Sequence, residues 1–190
     1  MTTESPAPEP PDHPARSFLV EPHGGRRIDL PGWSMRVKVG AEDTVGGVTV
    51  LDGRMAPRTA GAIAHIHDGH DETFVVLEGR LRFRLGDTFL TARAGDTVYA
   101  NRRLAHGFGN PFDEEAHYLV VLTPGGYEGY FSEVAEHVAR NGTAPDANQA
   151  RALMAKYATA AAPFVSDEPR EDPGRHLRLR DGSERIPARG

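Results

Sequence analysis

Apolar and polar residues alternate in short runs spaced about ten residues apart, and this period of two is the strongest constraint on the fold. Trp33, Met35, Val37 and Val39 share one face of a half-buried strand at 33–39. The stretch 45–51 is rich in β-branched residues and runs into Asp52-Gly53, which reads as a turn. Further strands are predicted at 62–67, 73–77, 81–85, 89–92, 97–100 and 118–122, with breaks at Glu78-Gly79 and Gly86-Asp87. Short strands with glycine-rich turns point to an all-β sandwich or small barrel, and away from a βαβ fold. No G-x-G-x-x-G or P-loop spacing follows a strand, which weighs against nucleotide binding.

Composition narrows the chemistry. The chain has nine histidines and no cysteine. Disulfide scaffolds, thiolate zinc sites, iron–sulfur clusters and cysteine nucleophiles are thereby excluded, which leaves histidine and carboxylate for metal or acid–base work. A length of 190 residues suits one domain with a proper core and would cramp two. Charged residues make up 26% and the net charge is -5, so neither a nucleic-acid partner nor a polybasic membrane patch is expected. No apolar run approaches the ~20 residues that span a bilayer, and the start lacks the pattern of a secretory signal. A cytoplasmic protein is the default expectation.

Both ends read as tails around a single domain at 18–165. In 1–17, Pro6, Pro8, Pro10, Pro11 and Pro14 stand among polar residues with almost nothing to bury, the composition of a disordered segment. The stretch 166–190 mixes Arg170, Arg175, Arg178 and Arg180 with Glu168, Glu171, Asp172 and Asp181, a solvated charged tail in which Leu177 and Leu179 have the spacing of a short edge strand. After Pro124-Gly125-Gly126 the period changes to that of a helix. Tyr127, Tyr130, Phe131, Val134 and Val138 share one face, and Asn141-Gly142 ends it. A second helix starts at Asp146 and presents Ala150, Leu153, Met154 and Tyr157. These aromatic and methionine stripes pack on the barrel or on a second subunit. A flap of Tyr127, Tyr130 and Phe131 over the barrel mouth is the other reading.

The informative stretch is His65-Ile66-His67-Asp68-Gly69-His70-Asp71-Glu72, with His106 further on. Side chains two apart on a strand point the same way, so His65 and His67 can share one ion. Glu72 opens the next strand, on the face of Phe74 and Val76. One histidine on a strand face is usually core or surface, and a pair at i and i+2 is a weak signal. Three imidazoles with a carboxylate form a set suited to a first-row transition metal with positions left for water, dioxygen or substrate.

This set resembles the first motif of the cupin superfamily: His-x-His, four residues, Glu, six residues, Gly, here His65, His67, Glu72 and Gly79. The second motif supplies Gly95, His106 and Asn110, but Asn101-Arg102-Arg103 stands where Pro-x-Gly is usual. The approach to His65 is also looser, with Gly61-Ala62-Ile63-Ala64 for Gly-Pro-Pro-x. The motifs cover 61–110, and the strand pattern extends the likeness to 45–122. The resemblance implies a double-stranded β-helix (jelly-roll barrel) followed by the two C-terminal helices. It also implies one divalent ion of iron, nickel, cobalt, manganese, copper or zinc on His65, His67, Glu72 and His106.

The segment from Pro124 to Phe131 is similar to the region after the barrel in quercetin dioxygenase-like single-domain cupins. The activity this implies is a dioxygenase acting on a small aromatic, flavonol-like or polyketide-like substrate, with Glu72 as general base. A Lewis-acid cyclase or isomerase and a non-catalytic binder are the other readings. Strand parity turns Ile63, Phe74, Val76, Phe83, Val98 and Phe108 inward, as core or as walls of a substrate pocket. Homodimers are common among cupins, so a second copy of the chain is an expected partner. His70 has no matching ligand position and reads as a loop residue, a neighbour of the ligands or an alternative ligand. Arg102 and Arg103 read as turn residues or as a clamp for an anionic substrate. Arg80, Arg82 and Arg84 read as an outward basic ladder, and His117 faces either way.

Overall fold

The computed structural model describes residues 17–162. The readings at 1–16 and 163–190, including the strand spacing of Leu177 and Leu179, lie outside the described residues. Alternating burial builds two antiparallel sheets. The first runs in the order β1 (Arg26–Leu30), β2 (Trp33–Val39), β3 (Thr49–Met55), β10 (Ala116–Thr123), β5 (Asp71–Glu78) and β8 (Thr97–Ala100). The second runs β11 (Thr159–Ala161), β4 (Thr59–His67), β9 (His106–Asn110), β6 (Arg80–Leu85) and β7 (Thr88–Arg93). From β3 onward the chain crosses between the sheets at every step except the β6–β7 hairpin, as in a jelly roll, and the apolar faces close on each other.

The expected turn at Asp52-Gly53 is instead the middle of β3, and of the β-branched stretch 45–51 only 49–51 is strand. Val45 takes a left-handed backbone, φ 49, at the end of the one-turn helix α1 (Ala41–Thr44). Gly53 pairs with Tyr118 of β10, and a Cβ there would lie 2.4 Å from Tyr118 Cζ. Gly53 therefore provides room for a buried ring, not a turn. Strands β1, β9 and β11 carry too little alternation to be predicted. All five residues of β9 are buried, so no polar face marks it.

β4 departs from simple parity, and this corrects Ile63. Against β9 its register runs Thr59↔Asn110, Ala62↔Phe108 and His65↔His106, so three residues of β4 twice oppose two of β9. Each bulge reverses the side-chain alternation. Ala62 consequently takes the inward position beside Phe108, and Ile63 is turned out and 69% exposed. Gly61, at φ 71, makes the first bulge possible, since a Cβ would lie 2.2 Å from the Phe108 carbonyl oxygen.

Aromatic rings fill the interior. Phe108 has Trp33, Phe74, Phe83 and Tyr118 around it at centroid distances of 5.4, 4.8, 5.7 and 5.6 Å. Val76 and Val98 are buried in the same core. Of the pocket residues inferred from parity, Phe74, Val76 and Val98 are thus packed core. Ile63, Phe83 and Phe108 border a cavity of about 530 Å³ on the second sheet, together with Arg82, Arg84 and Gly107. None of His65, His67, Glu72 or His106 borders it. The arginine ladder holds only in part: Leu81, Phe83 and Leu85 are buried on the other face and Arg80 is exposed and paired to Glu114 at 2.8 Å, but Arg82 is half-buried and Arg84 is buried.

Two helices follow the barrel. α2 (Glu128–Asn141) ends at Gly142, φ 70, and Phe131 of its first turn meets Trp33 at 5.5 Å. α3 (Ala147–Lys156) is capped by Asp146, whose carboxylate accepts from Asn148 and Gln149. The chain then returns as β11 alongside β4, placing Thr159 opposite His67.

Candidate metal centre

β4 brings His65 and His67 inward, β9 opens with His106 directly across from His65, and β5 contributes Glu72 from the other sheet. All four are buried. The donor atoms lie within 4.8 Å of one another, with His65 Nε2 to His67 Nε2 at 2.9 Å, His67 Nε2 to Glu72 Oε1 at 3.3 Å and His106 Nε2 to Glu72 Oε2 at 3.2 Å. Metal–nitrogen bonds of about 2.0–2.1 Å set neighbouring ligands about 2.9 Å apart at right angles.

Hydrogen bonds on the far side of each ring fix which nitrogen is free. His65 Nδ1 donates to the Ile63 carbonyl at 2.6 Å, and His106 Nδ1 to the Leu104 carbonyl at 2.8 Å. His67 Nδ1 donates to Thr159 Oγ1 at 2.7 Å, and that hydroxyl itself donates to the Tyr157 carbonyl at 3.0 Å. In the neutral rings every Nε2 is then a lone pair. Two lone pairs held 2.9 Å apart in a buried site repel unless a cation lies between them. The residues fit a divalent ion.

Residues 51–122 match the family described as Cupin domain. The chain carries a cupin domain. No curated protein matches the chain. Among solved structures it resembles a predicted oxalate decarboxylase from Thermotoga maritima, at 16% identity and TM-score 0.52 over 56% of this chain and 99% of that one. An RmlC-like cupin from Shewanella frigidimarina gives 14% identity and TM-score 0.51 over 60% and 96% of the two chains. The polyketide cyclase RemF from Streptomyces resistomycificus gives 18% and 0.49 over 57% and 80%. At these identities the first two show a likeness of fold alone. Among the described residues no helix is long and apolar enough to cross a membrane.

The electrostatics of the cupin site set its pH response. Burial takes the His65 imidazole down to about 4, against the pull of Glu72 and helped by His106 and His67, so it is neutral near pH 7. Burial likewise lowers His67. Burial would raise Glu72, but the imidazoles of His106, His67 and His70 around it outweigh that and hold the carboxyl well below its ordinary range. His106 goes the other way. Burial lowers it, yet the adjacent Glu72 carboxylate prevails and raises it above its usual value. A metal-free His106 thus keeps an extra proton below that raised pKa, and an incoming ion must displace it. Metal affinity is expected to rise about tenfold per pH unit while His106 is protonated, and to level off above. Cobalt titration calorimetry at about pH 6, 7 and 8 checks this, with up to one proton released per ion.

The residues around the ligands divide clearly. Arg102 is not a free clamp: its guanidinium and its backbone N–H all bind Asp71, at 2.7–3.0 Å. That pairing takes the Asp71 carboxyl down to about 2. His117 faces Asp52 at 2.8 Å, away from the ligands. Tyr127 packs its ring on His67 and His70, at 4.4 and 4.6 Å. Thr159 was not foreseeable, since nothing in its sequence context shows that β11 returns to β4.

Arg103 occupies the position where related motifs place glycine, and the reason is visible. It has φ 66, and its N–H donates to the His67 carbonyl at 2.7 Å, tying the turn to β4. An L-residue in this left-handed region is strained. Arg103→Gly is expected to stabilise the protein by about 1 kcal/mol, visible as a melting point a few degrees higher with unchanged metal content. An unchanged or lower melting point would refute the strain.

Proposed function

We propose that this cupin is a metal-dependent dioxygenase acting on a small aromatic, flavonol-like or polyketide-like molecule with an enol or phenol hydroxyl. The observation that carries it is the convergence of three imidazole lone pairs and one carboxylate, with no thiolate, in a buried site. One divalent transition-metal ion on His65, His67, Glu72 and His106 would supply Lewis acidity toward the hydroxyl and a site for oxygen. The Ile63 and Leu104 carbonyls and the Thr159 hydroxyl hold the three rings in orientation. Glu72, anionic at neutral pH, accepts the hydroxyl proton as general base. Among the described residues β1, β8, β7 and β11 are sheet edges, which supports a homodimer as part of the proposal.

A second reading has support of its own. The Tyr127 ring and the His70 imidazole lie beside His67, and polar side chains next to the ligands suit a cyclase or isomerase needing no oxygen. Oxygen-electrode assays with flavonols and polycyclic phenols, on protein loaded in turn with each candidate metal, separate the readings. Uptake matched to substrate loss supports the dioxygenase. Conversion without uptake supports the cyclase or isomerase, and binding without conversion a carrier.

A further inference from the structure

His70 is the imidazole beside the metal residues that the ligand set leaves unused. It lies in the loop between β4 and β5 and is only 5% exposed. Its ring is 3.9 Å from that of His67 and 4.6 Å from that of Tyr127, centroid to centroid, so its orientation is fixed from both sides. Its Nε2 has no hydrogen-bond partner among the described residues. Glu72 Oε1 lies 3.6 Å away, beyond a hydrogen bond. Buried polar atoms are nearly always paired, and leaving one unpaired is costly, so packing alone would favour a phenylalanine or leucine here.

The unpaired nitrogen is not a fifth donor. The group of donor atoms within 4.8 Å of one another holds His65, His67, Glu72 and His106 without it. Facing the anionic Glu72 carboxylate, the favoured tautomer carries its hydrogen on Nε2. That hydrogen points into the side of the site where Glu72 Oε1 sits, 3.6 Å away, and no group among the described residues is close enough to receive it.

We infer that His70 Nε2–H is a substrate-binding group, donating a hydrogen bond to an oxygen of the organic molecule held at the metal. The inference rests on the metal-dependent reading above and narrows its substrate class. The molecule carries two neighbouring oxygens, one for the metal and a carbonyl or deprotonated hydroxyl for His70, as in an enolised diketone or a hydroxylated aromatic ketone. Tyr127, packed against the ring at an interplanar angle of 37°, holds the imidazole in place.

The test uses the full chain loaded with cobalt(II), whose visible bands report changes in coordination, and pentane-2,4-dione as the probe. The wild type is expected to bind one cobalt per chain and then the probe. His70→Phe keeps the ring's shape and His70→Leu keeps an apolar filling, so one carries the test if the other does not fold. In either variant the probe's Kd should rise about tenfold, the worth of one hydrogen bond, while cobalt affinity stays within about threefold. His70→Gln, which restores an N–H donor, should recover part of the loss. Unchanged probe affinity in the variants overturns the inference, as does a wild type that binds cobalt but not the probe. Cobalt and probe affinity lost in parallel also overturn it, because His70 would then be holding the ion. A wild type that binds no cobalt refutes the metal reading itself, and does so before the probe is added.

Discussion

Replacing His65 and His67 together with alanine is expected to leave a folded protein with no metal ion. The two Nε2 atoms lie 2.9 Å apart and come from one strand, so the pair forms half of the donor set. Glu72 and His106 alone give two ligands, too few to hold an ion against water, and affinity should fall about a thousandfold or more. Elemental analysis after desalting reads this directly. Melting curves give a second measure. An ion at about a thousand times its Kd adds about 4 kcal/mol to the wild type, a gain the double variant should lose entirely. Without metal the two proteins should melt much closer together, because the substitution removes a lone-pair repulsion along with buried ring surface. Full metal occupancy in the double variant would refute the site.

The same residues show how far the sequence could be read. His65, His67, Glu72 and His106 were legible because a strand's period of two and a fixed offset to the next strand encode their convergence locally. The helices were legible for a similar reason: Asp146 and Gly142 are cap signals that act within a turn. The errors arose where long-range packing overrides the local pattern. Gly53 looks like a turn residue until Tyr118 is placed across from it. Ile63 has inward parity until the two bulges of β4 against β9 are counted, and nothing in the sequence of β4 alone announces them. Thr159, 92 residues from His67, is a partner only because β11 returns to the edge of β4. His70 was visible as a residue, but its importance lies in an unpaired buried atom. Sequence shows which groups are available; only the packed structure shows which of them lack a partner.

Phe108→Ala decides whether the interior aromatics are core or pocket wall, since the two roles predict different losses. A wall residue would enlarge a cavity when truncated, weakening substrate binding and leaving the melting point nearly unchanged. The ring of Phe108, however, is surrounded by Trp33, Phe74, Phe83 and Tyr118, four aromatic neighbours within 5.7 Å. The last two of these are at most 1% exposed and sit on strands of opposite sheets, so the gap cannot collapse without moving a whole sheet. Truncation is therefore expected to cost about 3–5 kcal/mol and to lower the melting point by about 10 °C or more. Metal content should survive, because His106 is held by the Leu104 carbonyl and by its register with His65, neither of which involves the ring. Ile63→Ala is the matched control: with its side chain in solvent, it should change stability by less than about 0.5 kcal/mol. If Phe108→Ala instead melts like the wild type, the ring belongs to a wall and the cavity it borders extends into the barrel.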